Sequence, residues 1–254
     1  MMLELNKLCF AFNGTPVLQD ISFRLGRGEM AALLGVNGCG KSTLLKTING
    51  ILKPKQGAVM VEGVALNGLS GKEIARRIGY MPQKSGSVIC TVFDAVLLGR
   101  KPHFGRTVTP RDLEVVEDVL QRLGMEQLAL RETTELSGGE LQKVIIARAL
   151  VQEPKILLLD EPVNHLDVRN QLETMSILRE VTQELNLLTI TVLHDLTIAL
   201  RYADRFVLIK DGGLHACGDR EVMTPAAIRE VFGMHATIHD IDGIPVVLPL
   251  GSVQ

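Results

Sequence analysis

The sequence predicts an α/β fold with a mostly parallel sheet, an antiparallel β lobe near the amino terminus and an inserted helical lobe. Short apolar runs of strand length alternate with amphipathic helical patterns, which is typical of chains that build parallel sheets. Four of these runs are apolar on both faces, as buried parallel strands are: MAALLG at 30–35, ILLLD at 156–160, LTITVL at 188–193 and FVLIK at 206–210.

The start of the chain has a different pattern. The segments LELNKLCFAFNG and GAVMVEGVAL alternate apolar with polar residues and carry turn residues, which favours an antiparallel sheet. We expect one domain, 1–254, whose parts have these approximate bounds: the antiparallel lobe 1–28 and 57–70, the parallel core 29–90 and 151–220, the helical lobe 91–150 and a tail 221–254.

The helical lobe is predicted because residues 91–150 contain no convincing strand. Thr109 and Pro110 form a helix start, with a capping residue followed by a proline at the first helical position. The spacing then predicts a helix that ends at Gly124 and buries one face, made of Leu113, Val116, Leu120 and Leu123.

Composition excludes several classes of protein. The 254 residues are 46% hydrophobic and have a net charge of −2, which argues against a protein that coats nucleic acid. The four cysteines are widely spaced, so we expect neither a disulfide framework nor a cysteine metal site. The amino terminus lacks the pattern of a signal peptide, and no run approaches the ~20 apolar residues of a membrane span.

The segment GVNGCGKST, residues 35–43, matches the pattern G-x-x-x-x-G-K-[ST] of a phosphate-binding loop. Glycines let consecutive N–H groups face a phosphate, and the helix that follows adds its positive end. The alternative is a chance match, which the preceding strand and the following helix disfavour. Lys41 would reach the β- and γ-phosphates and Ser42 would ligate Mg²⁺, and the predicted nucleotide-binding residues of the loop are Gly35, Asn37, Gly38, Cys39, Gly40, Lys41, Ser42 and Thr43.

Two acids follow the apolar strand in ILLLDEP. Asp160 falls at the carboxyl end of a predicted parallel strand, where ligands gather, and is predicted to coordinate Mg²⁺ directly or through water. Glu161 is predicted to be the general base that polarises the attacking water. An isolated Asp-Glu pair is more often a solvated turn, but the buried strand and the phosphate-binding loop favour the catalytic interpretation.

His194 ends the strand LTITVL in the same way, so we expect it at the same edge of the sheet, bonded to the γ-phosphate. A lone histidine at a strand end is more often structural, and only the shared edge favours function. His239 lies in the tail, and we assign it no role. The remaining histidines have no evident partner: His103, His165, His215 and His235.

The segment ELSGGELQK, residues 135–143, begins a helix with a capping box formed by Ser137 and Glu140. Gly138 and Gly139 would then occupy the first turn, where glycine costs roughly 1 kcal/mol relative to alanine. Two glycines at a helix start indicate that something approaches the backbone closely there.

Together these motifs resemble those of the ATP-binding subunits of ABC transporters, over essentially the whole chain. ELSGGELQK is similar to the family's signature motif, GVNGCGKST to its P-loop and ILLLDEP to its Walker B strand. YMPQ, with Gln83, resembles its Q-loop, VLHD its switch histidine and NHLD at 164–167 its D-loop. The resemblance implies a P-loop NTPase core with an antiparallel β lobe and a helical lobe, which agrees with the organisation predicted above.

The resemblance also implies roles for further residues. Two copies would bind head to tail around two ATP molecules, so that Ser137, Gly138 and Gly139 contact a γ-phosphate held by the P-loop of the other copy. Asp167 would link the two sites. Gln83 would bind Mg²⁺ and the lytic water and signal to the membrane subunits, and Phe12 would stack on adenine. Val36 and Val163 depart from the usual family pattern, and Glu140 stands where glutamine is also frequent.

A narrower resemblance, to subunits that energise import of iron-siderophore, haem and vitamin B12 chelates, rests on VLLGRKPHFG, DEPVNHLDV and the tail EVFGMHATIHDIDGIPVVLPL. It implies two such subunits at the cytoplasmic face of a prokaryotic cell membrane, two polytopic permease subunits and an extracytoplasmic binding protein. Another cargo, such as free metal ions, is the alternative within this class.

Two other classes remain to be weighed. A soluble ABC ATPase of DNA repair would carry a long coiled coil between P-loop and signature, and ribosome-acting members usually carry two cassettes; the sequence shows neither. A regulatory module that does not hydrolyse ATP would be expected to lack Glu161 or His194, and both are present.

Overall fold

The computed structural model describes residues 1–83, 89–105 and 107–252. In chain order, the strands of this part are β1 (Leu3–Phe12), β2 (Thr15–Leu25), β3 (Met30–Leu34), β4 (Gln56–Val61), β5 (Val64–Ala65), β6 (Ile78–Met81), β7 (Ile156–Asp160), β8 (Leu188–Val192), β9 (Arg205–Lys210), β10 (Gly213–Gly218), β11 (Met234–Ile241) and β12 (Ile244–Ser252). The α helices are α1 (Lys41–Ile48), α2 (Gly71–Ala75), α3 (Val92–Leu97), α4 (Pro110–Arg122), α5 (Gly138–Leu150), α6 (Val168–Glu184), α7 (Leu196–Tyr202) and α8 (Pro225–Phe232). Within these described ranges, no helix combines the length and apolar character that crossing a membrane requires.

The central sheet has the strand order β10-β9-β3-β8-β7-β6. Its strands β9, β3, β8, β7 and β6 run parallel, and only β10 pairs antiparallel, at one edge. Every residue of β3, β7 and β8 is buried. The four apolar runs predicted as parallel strands are all in this sheet, and the predicted fold class is confirmed.

Both faces of the central sheet are covered, which explains why its strands lack alternation. Met30, Ala32 and Leu34 of β3 pack into a core shared with the helices α3 to α8. Ala31 and Leu33, which point to the other face, pack into a second core. That second core also takes in the buried side of a separate antiparallel sheet of order β2-β1-β4-β5. Alternate residues of β3 thus pack into two different cores, so every position in β3 is apolar.

The helices between β6 and β7 include α4, which begins at Pro110 as predicted. The Asp112 carboxylate accepts hydrogen bonds from the Thr109 N–H at 2.9 Å and from the Thr109 hydroxyl at 2.7 Å, which closes the first turn. The predicted buried face is wrong at one position. Leu113 is 39% exposed, whereas Val115 and Val119 are buried. The stripe is wider and rotated, because α4 packs against both α3 and α5.

The tail forms a hairpin that the sequence pattern did not predict. β11 and β12 pair antiparallel across the turn at Asp242 and Gly243. The hairpin packs on α7 and α8, and the Val247 N–H donates to the Thr197 hydroxyl at 3.1 Å. It therefore rests on the helix that follows His194.

The parallel strands direct their carboxyl ends to one edge of the central sheet. The loop 35–43 follows β3, Asp160 ends β7, His194 follows β8, and Gln83 lies shortly after β6. Four segments that are distant in sequence are thus brought to a common edge by the strand order alone.

Candidate active site

The segment 35–43 joins β3 to α1, so it has the strand–turn–helix context that a phosphate-binding loop needs. Gly35 has φ +153°, and a Cβ there would lie 2.3 Å from the Ile209 carbonyl oxygen and 2.7 Å from the Cys39 sulfur. No side chain fits at this position. The main chain of the loop is therefore held tightly against β9.

Lys41 is the first residue of α1, and its side chain folds back over the loop. Its ammonium is buried and donates to the carbonyl oxygens of Gly35 at 2.7 Å and Val36 at 2.9 Å. These neutral acceptors hold a full positive charge at the helix amino terminus. A phosphate oxygen that enters the loop offers Lys41 a stronger, charged acceptor in the same place.

The other loop residues divide into an exposed tip and a buried base. Asn37 and Gly38 are exposed at the tip together with Val36, whose side chain points away from the core. Cys39 and Gly40 are buried, and burial raises the pKa of the Cys39 thiol, which keeps it neutral. Ser42 and Thr43 continue into α1 and remain partly accessible. The tip is thus open to a ligand.

Ser42 and Asp160, which are far apart in the sequence, meet at the base of the loop. The Ser42 hydroxyl donates to the Asp160 carboxylate Oδ1 at 3.1 Å. Burial raises the pKa of Asp160, and the bond from Ser42 only partly opposes that shift. The neighbouring Tyr80 hydroxyl is buried, and burial together with the Asp160 carboxylate raises the pKa of Tyr80.

This corner has the chemistry of a magnesium site completed by a substrate. No group of three or more His, Cys, Asp or Glu in the described ranges could hold a metal by itself. Ser42 and Asp160 supply hard oxygen atoms, and a buried carboxylate with a raised pKa gains most from a cation. Mg²⁺ typically takes one or two carboxylates, waters and substrate phosphates. The residues present fit it.

Side chains from two distant segments, His194 and Gln83, bond to Glu161. His194 Nε2 donates to its Oε1 at 2.7 Å, and Gln83 Nε2 donates to its Oε2 at 2.7 Å. Burial acts to raise the pKa of Glu161, but the hydrogen bonds from His194 and Gln83 outweigh it and hold this pKa below its ordinary value. The structure thus brings together the three side chains that the sequence assigned to catalysis beside Lys41.

Asn164, the first residue of the NHLD segment, also contacts Glu161, a contact that the sequence motifs did not predict. Its side-chain amide Nδ2 donates to Glu161 Oε2, and its main-chain N–H donates to the Glu161 carbonyl at 3.3 Å. The sequence feature that could have predicted this contact is an amide side chain three residues after Glu161, because a tight turn brings residues at that separation together. Val163, in the same turn, is buried in the core next to the helices, where a valine suits the apolar surroundings.

Phe12 lies at the end of β1 and is 49% exposed, in contrast to Phe10, which is 6% exposed. The two rings meet edge to face with centroids 4.7 Å apart. Phe10 thus supports one side of Phe12, and the other side is open to a flat ligand.

The segment ELSGGELQK begins α5 with the predicted capping box. The Ser137 N–H donates to Glu140 at 2.8 Å, and the Ser137 hydroxyl accepts from the Glu140 N–H at 3.3 Å. A Cβ on Gly138 would meet no atom within 4 Å, so nothing inside the chain requires glycine there. At Gly139 a Cβ would lie 3.2 Å from Asn170, a side chain that also bonds the exposed cap residue Asp167.

Ser137, Gly138, Gly139 and Asp167 are thus exposed or partly exposed at helix starts, and no hydrogen bond among the described residues joins them to the loop 35–43. Within one chain the predicted site falls into two groups. One surrounds the loop, Asp160 and Glu161, and the other surrounds the start of α5.

Comparison with known proteins identifies the family. The model of the ABC transporter family matches residues 18–164. The chain is 52% identical over 251 residues to an uncharacterized ABC transporter ATP-binding protein of Methanocaldococcus jannaschii, covering 99% of both. It is 39% identical to a cobalamin import ATP-binding protein of Halobacterium salinarum, covering 94% of this chain and 60% of that one. It is 35% identical to a ferric enterobactin transport ATP-binding protein of Escherichia coli, covering 96% and 93%.

Solved structures give the same result. A metal-chelate type ABC transporter in an inward-facing conformation aligns with a TM-score of 0.85 and 31% identity, covering 98% of this chain and 97% of that one. An ATP-binding cassette dimer bound to ADP and Pi in a post-hydrolysis state aligns with a TM-score of 0.74 and 26% identity, covering 86% and 98%. The predicted family is confirmed: this chain belongs to the nucleotide-binding ABC transporter ATPases.

Proposed function

We propose that this chain is the ATP-hydrolysing subunit of an importer for metal chelates of the cobalamin, siderophore or haem class. The observation that carries the proposal is the cluster in which Glu161 accepts bonds from His194 and Gln83, beside the Ser42–Asp160 pair and the loop that holds Lys41. This arrangement places a proton acceptor, a cation corner and a phosphate cradle at one sheet edge. Residues 1–254 act as a single ATPase domain with the lobes predicted from the sequence.

In this proposal the nucleotide lies along the loop 35–43, with its adenine on the open side of Phe12 and its β- and γ-phosphates at Lys41. Ser42, Asp160 and Gln83 would hold Mg²⁺, which would supply positive charge to the phosphates. The lowered pKa of Glu161 keeps its carboxylate ionised at neutral pH, as a general base requires.

Hydrolysis then needs one water between Glu161 and the γ-phosphate. As the water oxygen bonds to the γ-phosphorus, the bond to the β–γ bridging oxygen breaks and its electron pair leaves with ADP. The water proton passes to the Glu161 carboxylate. His194 moves from Glu161 Oε1 to the γ-phosphate, where it stabilises the transferred group.

We infer that the second group of residues completes the site of another copy. Ser137, Gly138 and Gly139 of one subunit contact the γ-phosphate bound by its partner, and Asp167 links the two sites. The open space around Gly138 and the relative's dimer bound to ADP and Pi support a head-to-tail pair.

The cargo class rests on relatives whose names specify cobalamin import and ferric enterobactin transport, and on the metal-chelate type transporter. In this proposal two copies of the chain bind two permease subunits at the cytoplasmic face of the membrane. An extracytoplasmic binding protein delivers the chelate, and no nucleic acid takes part.

Purified complex in liposomes tests the cargo. With its binding protein present, one metal chelate should stimulate ATP hydrolysis and accumulate inside the vesicles, while the chelator without its metal should not. Stimulation by free metal ions or amino acids instead would contradict the proposed class.

A single substitution tests the catalytic assignment. Glu161→Gln should leave ATP affinity largely intact but lower turnover by at least about 100-fold, because the water loses its proton acceptor. Equilibrium binding of ATP, steady-state hydrolysis and size-exclusion chromatography measure the three consequences, the last of which is a trapped ATP-bound dimer. Turnover near the unmodified level would show that another group is the base.

A further inference from the structure

The turn that follows β7 is closed by Asn164 in two ways. Its main-chain N–H donates to the Glu161 carbonyl, and its side-chain amide donates to the Glu161 carboxylate. Glu161 has φ +59° and His165 has φ +65°, so the turn contains two residues in a conformation that is uncommon outside glycine. The side chain at 164 therefore reaches the carboxylate of the same turn without crossing to another element.

The other two donors to Glu161 come from elsewhere in the fold. Gln83 lies after β6 and His194 after β8. In the proposed function both leave the carboxylate when nucleotide binds, Gln83 toward Mg²⁺ and His194 toward the γ-phosphate. The proposed function assigns the Asn164 side chain no contact with Mg²⁺ or the γ-phosphate, and Asn164 lies only three residues from Glu161. Asn164 is therefore the donor that remains bonded to Glu161 when nucleotide binds.

We propose that Asn164 is the positioning residue of the general base. Its amide holds Oε2 of Glu161, so that Oε1, which His194 vacates, faces the attacking water. A carboxylate whose partners both leave would be free to rotate, whereas one that keeps a charge-assisted bond is restricted. This inference rests on the proposed function, because it assumes that Glu161 takes the proton.

Asn164 is not needed to hold the main chain of the turn, because two other side chains do so. Gln142 of α5 donates to the Pro162 carbonyl at 2.6 Å. Gln171 of α6 donates to the carbonyls of Val163 at 3.3 Å and Leu166 at 3.0 Å. Removing the Asn164 amide should therefore free the Glu161 side chain while the turn remains in place.

The test compares Asn164→Ala and Asn164→Asp with the unmodified chain. Asn164→Ala should lower kcat about 10- to 100-fold, the range expected for a lost hydrogen bond to a charged group, with KM for Mg-ATP and ATP affinity within about twofold. Asn164→Asp keeps the shape but places a second carboxylate against Glu161, so it should lower kcat further than alanine does.

A double variant separates positioning from folding. If Asn164 acts only through the carboxylate, adding Asn164→Ala to Glu161→Gln should reduce neither the residual turnover nor the ATP-dependent dimer that Glu161→Gln accumulates. A loss of dimer in the double variant would show that Asn164 supports the turn and would overturn the inference.

The remaining outcomes distinguish this inference from the proposed function. If Asn164→Ala keeps normal kcat while Glu161→Gln is inactive, the inference is wrong and the proposed function stands. If Glu161→Gln itself keeps normal turnover, the assignment of the base fails, and the role of Asn164 fails with it.

Discussion

Asp160 and Glu161 are adjacent in sequence but have opposite electrostatic surroundings. Burial raises the pKa of Asp160, whose partner is the Ser42 hydroxyl. Burial also acts to raise the pKa of Glu161, but the hydrogen bonds from His194 and Gln83 lower this pKa below its ordinary value. Because β7 ends between β8 and β6, consecutive side chains at its end point into different environments. Asp160 is thus suited to bind a cation, and Glu161 is suited to accept a proton.

Phe12 and Phe10 offer a matched test of the adenine site. Phe12→Ala should weaken ATP binding about 10-fold, because stacking on a base contributes roughly 1–3 kcal/mol, and should leave the melting temperature nearly unchanged, since the ring is half exposed. Isothermal titration with ATP and thermal unfolding measure the two effects.

Phe10→Ala is the control with the reverse expectation. Its ring is buried in the core between the sheets, so truncation should cost about 3–5 kcal/mol of stability. Equal loss of stability in both variants, with unchanged ATP affinity for Phe12→Ala, would remove Phe12 from the site.

At this scale the sequence predicted the residues that lie in contiguous motifs, because strand ends and glycine spacing define them locally. It did not predict Asn164 as a partner of Glu161 or Tyr80 as a neighbour of Asp160. Those contacts depend on the exact path of a turn and on the pairing of β6 with β7, which a short pattern does not specify.

Among the elements, α4 is fixed to the rest of the chain by a buried ion pair. Arg100 Nε donates to Asp112 at 3.0 Å, and Arg100 also donates to the Val151 carbonyl at 2.8 Å and to Glu153 at 2.7 Å. The Asp112 carboxylate at the same time accepts the two bonds from Thr109. One carboxylate therefore begins α4 and ties it to the segment after α5.

Asp112→Asn should accordingly destabilise the chain strongly. Breaking a buried pair costs about 3 kcal/mol or more, which corresponds to a fall in melting temperature of roughly 6–12 °C at this chain length. Asp118→Asn is the matched control on the same helix, because Asp118 pairs with Arg122 at the surface and such pairs contribute about 0.5 kcal/mol. Thermal unfolding of both variants gives the comparison, and equal shifts would contradict a special role for the buried pair.

The same carboxylate gives a pH dependence. The hydrogen bonds from Thr109, together with Arg100, hold the pKa of Asp112 below its ordinary value of 3.8. A carboxyl group with a lowered pKa stabilises the fold above its unfolded value and loses that contribution as the pH falls through the folded value. The stability difference between the unmodified chain and Asp112→Asn should thus be constant at neutral pH and shrink below 3.8. Urea midpoints across this range measure it.

The sequence predicted the apolar runs in β3, β7, β8 and β9 well, because both faces of the central sheet are covered and apolar residues dominate these strands. It failed on the hairpin of β11 and β12, whose residues are mostly exposed or half-buried and therefore carry little alternation. It also misplaced Leu113, because the burial of a helix face depends on which neighbours pack on it. A pattern of polar and apolar residues indicates which faces of an element are buried. For elements at the edge of the fold, which faces are buried depends on tertiary packing.

In the whole molecule, the carboxyl edge of one sheet gathers the loop 35–43, Asp160, Glu161 and His194. Among the described residues, Ser137, Gly138 and Gly139 at the start of α5 make no hydrogen bond to the loop 35–43 or to these side chains. A helix start with a satisfied capping box needs no glycine, and a Cβ at Gly138 would meet no atom of the described residues within 4 Å. A second copy that brings this helix start to the first copy's loop accounts for both facts.

Gly138→Asp tests that account. A Cβ there would meet no atom of the described residues within 4 Å, so the variant should fold normally and bind ATP as a monomer with affinity within about twofold of the unmodified chain. It should lose ATP-dependent dimerisation and at least about 100-fold in hydrolysis, since a negative charge would face the partner's γ-phosphate. Mixing it with Lys41→Ala decides the geometry. If the signature acts on the partner's nucleotide, a dimer with each substitution in a different subunit has one site with both defects and one intact site, so some turnover should return. If the signature acted on its own chain's nucleotide, both sites would be defective and the mixture would be inactive.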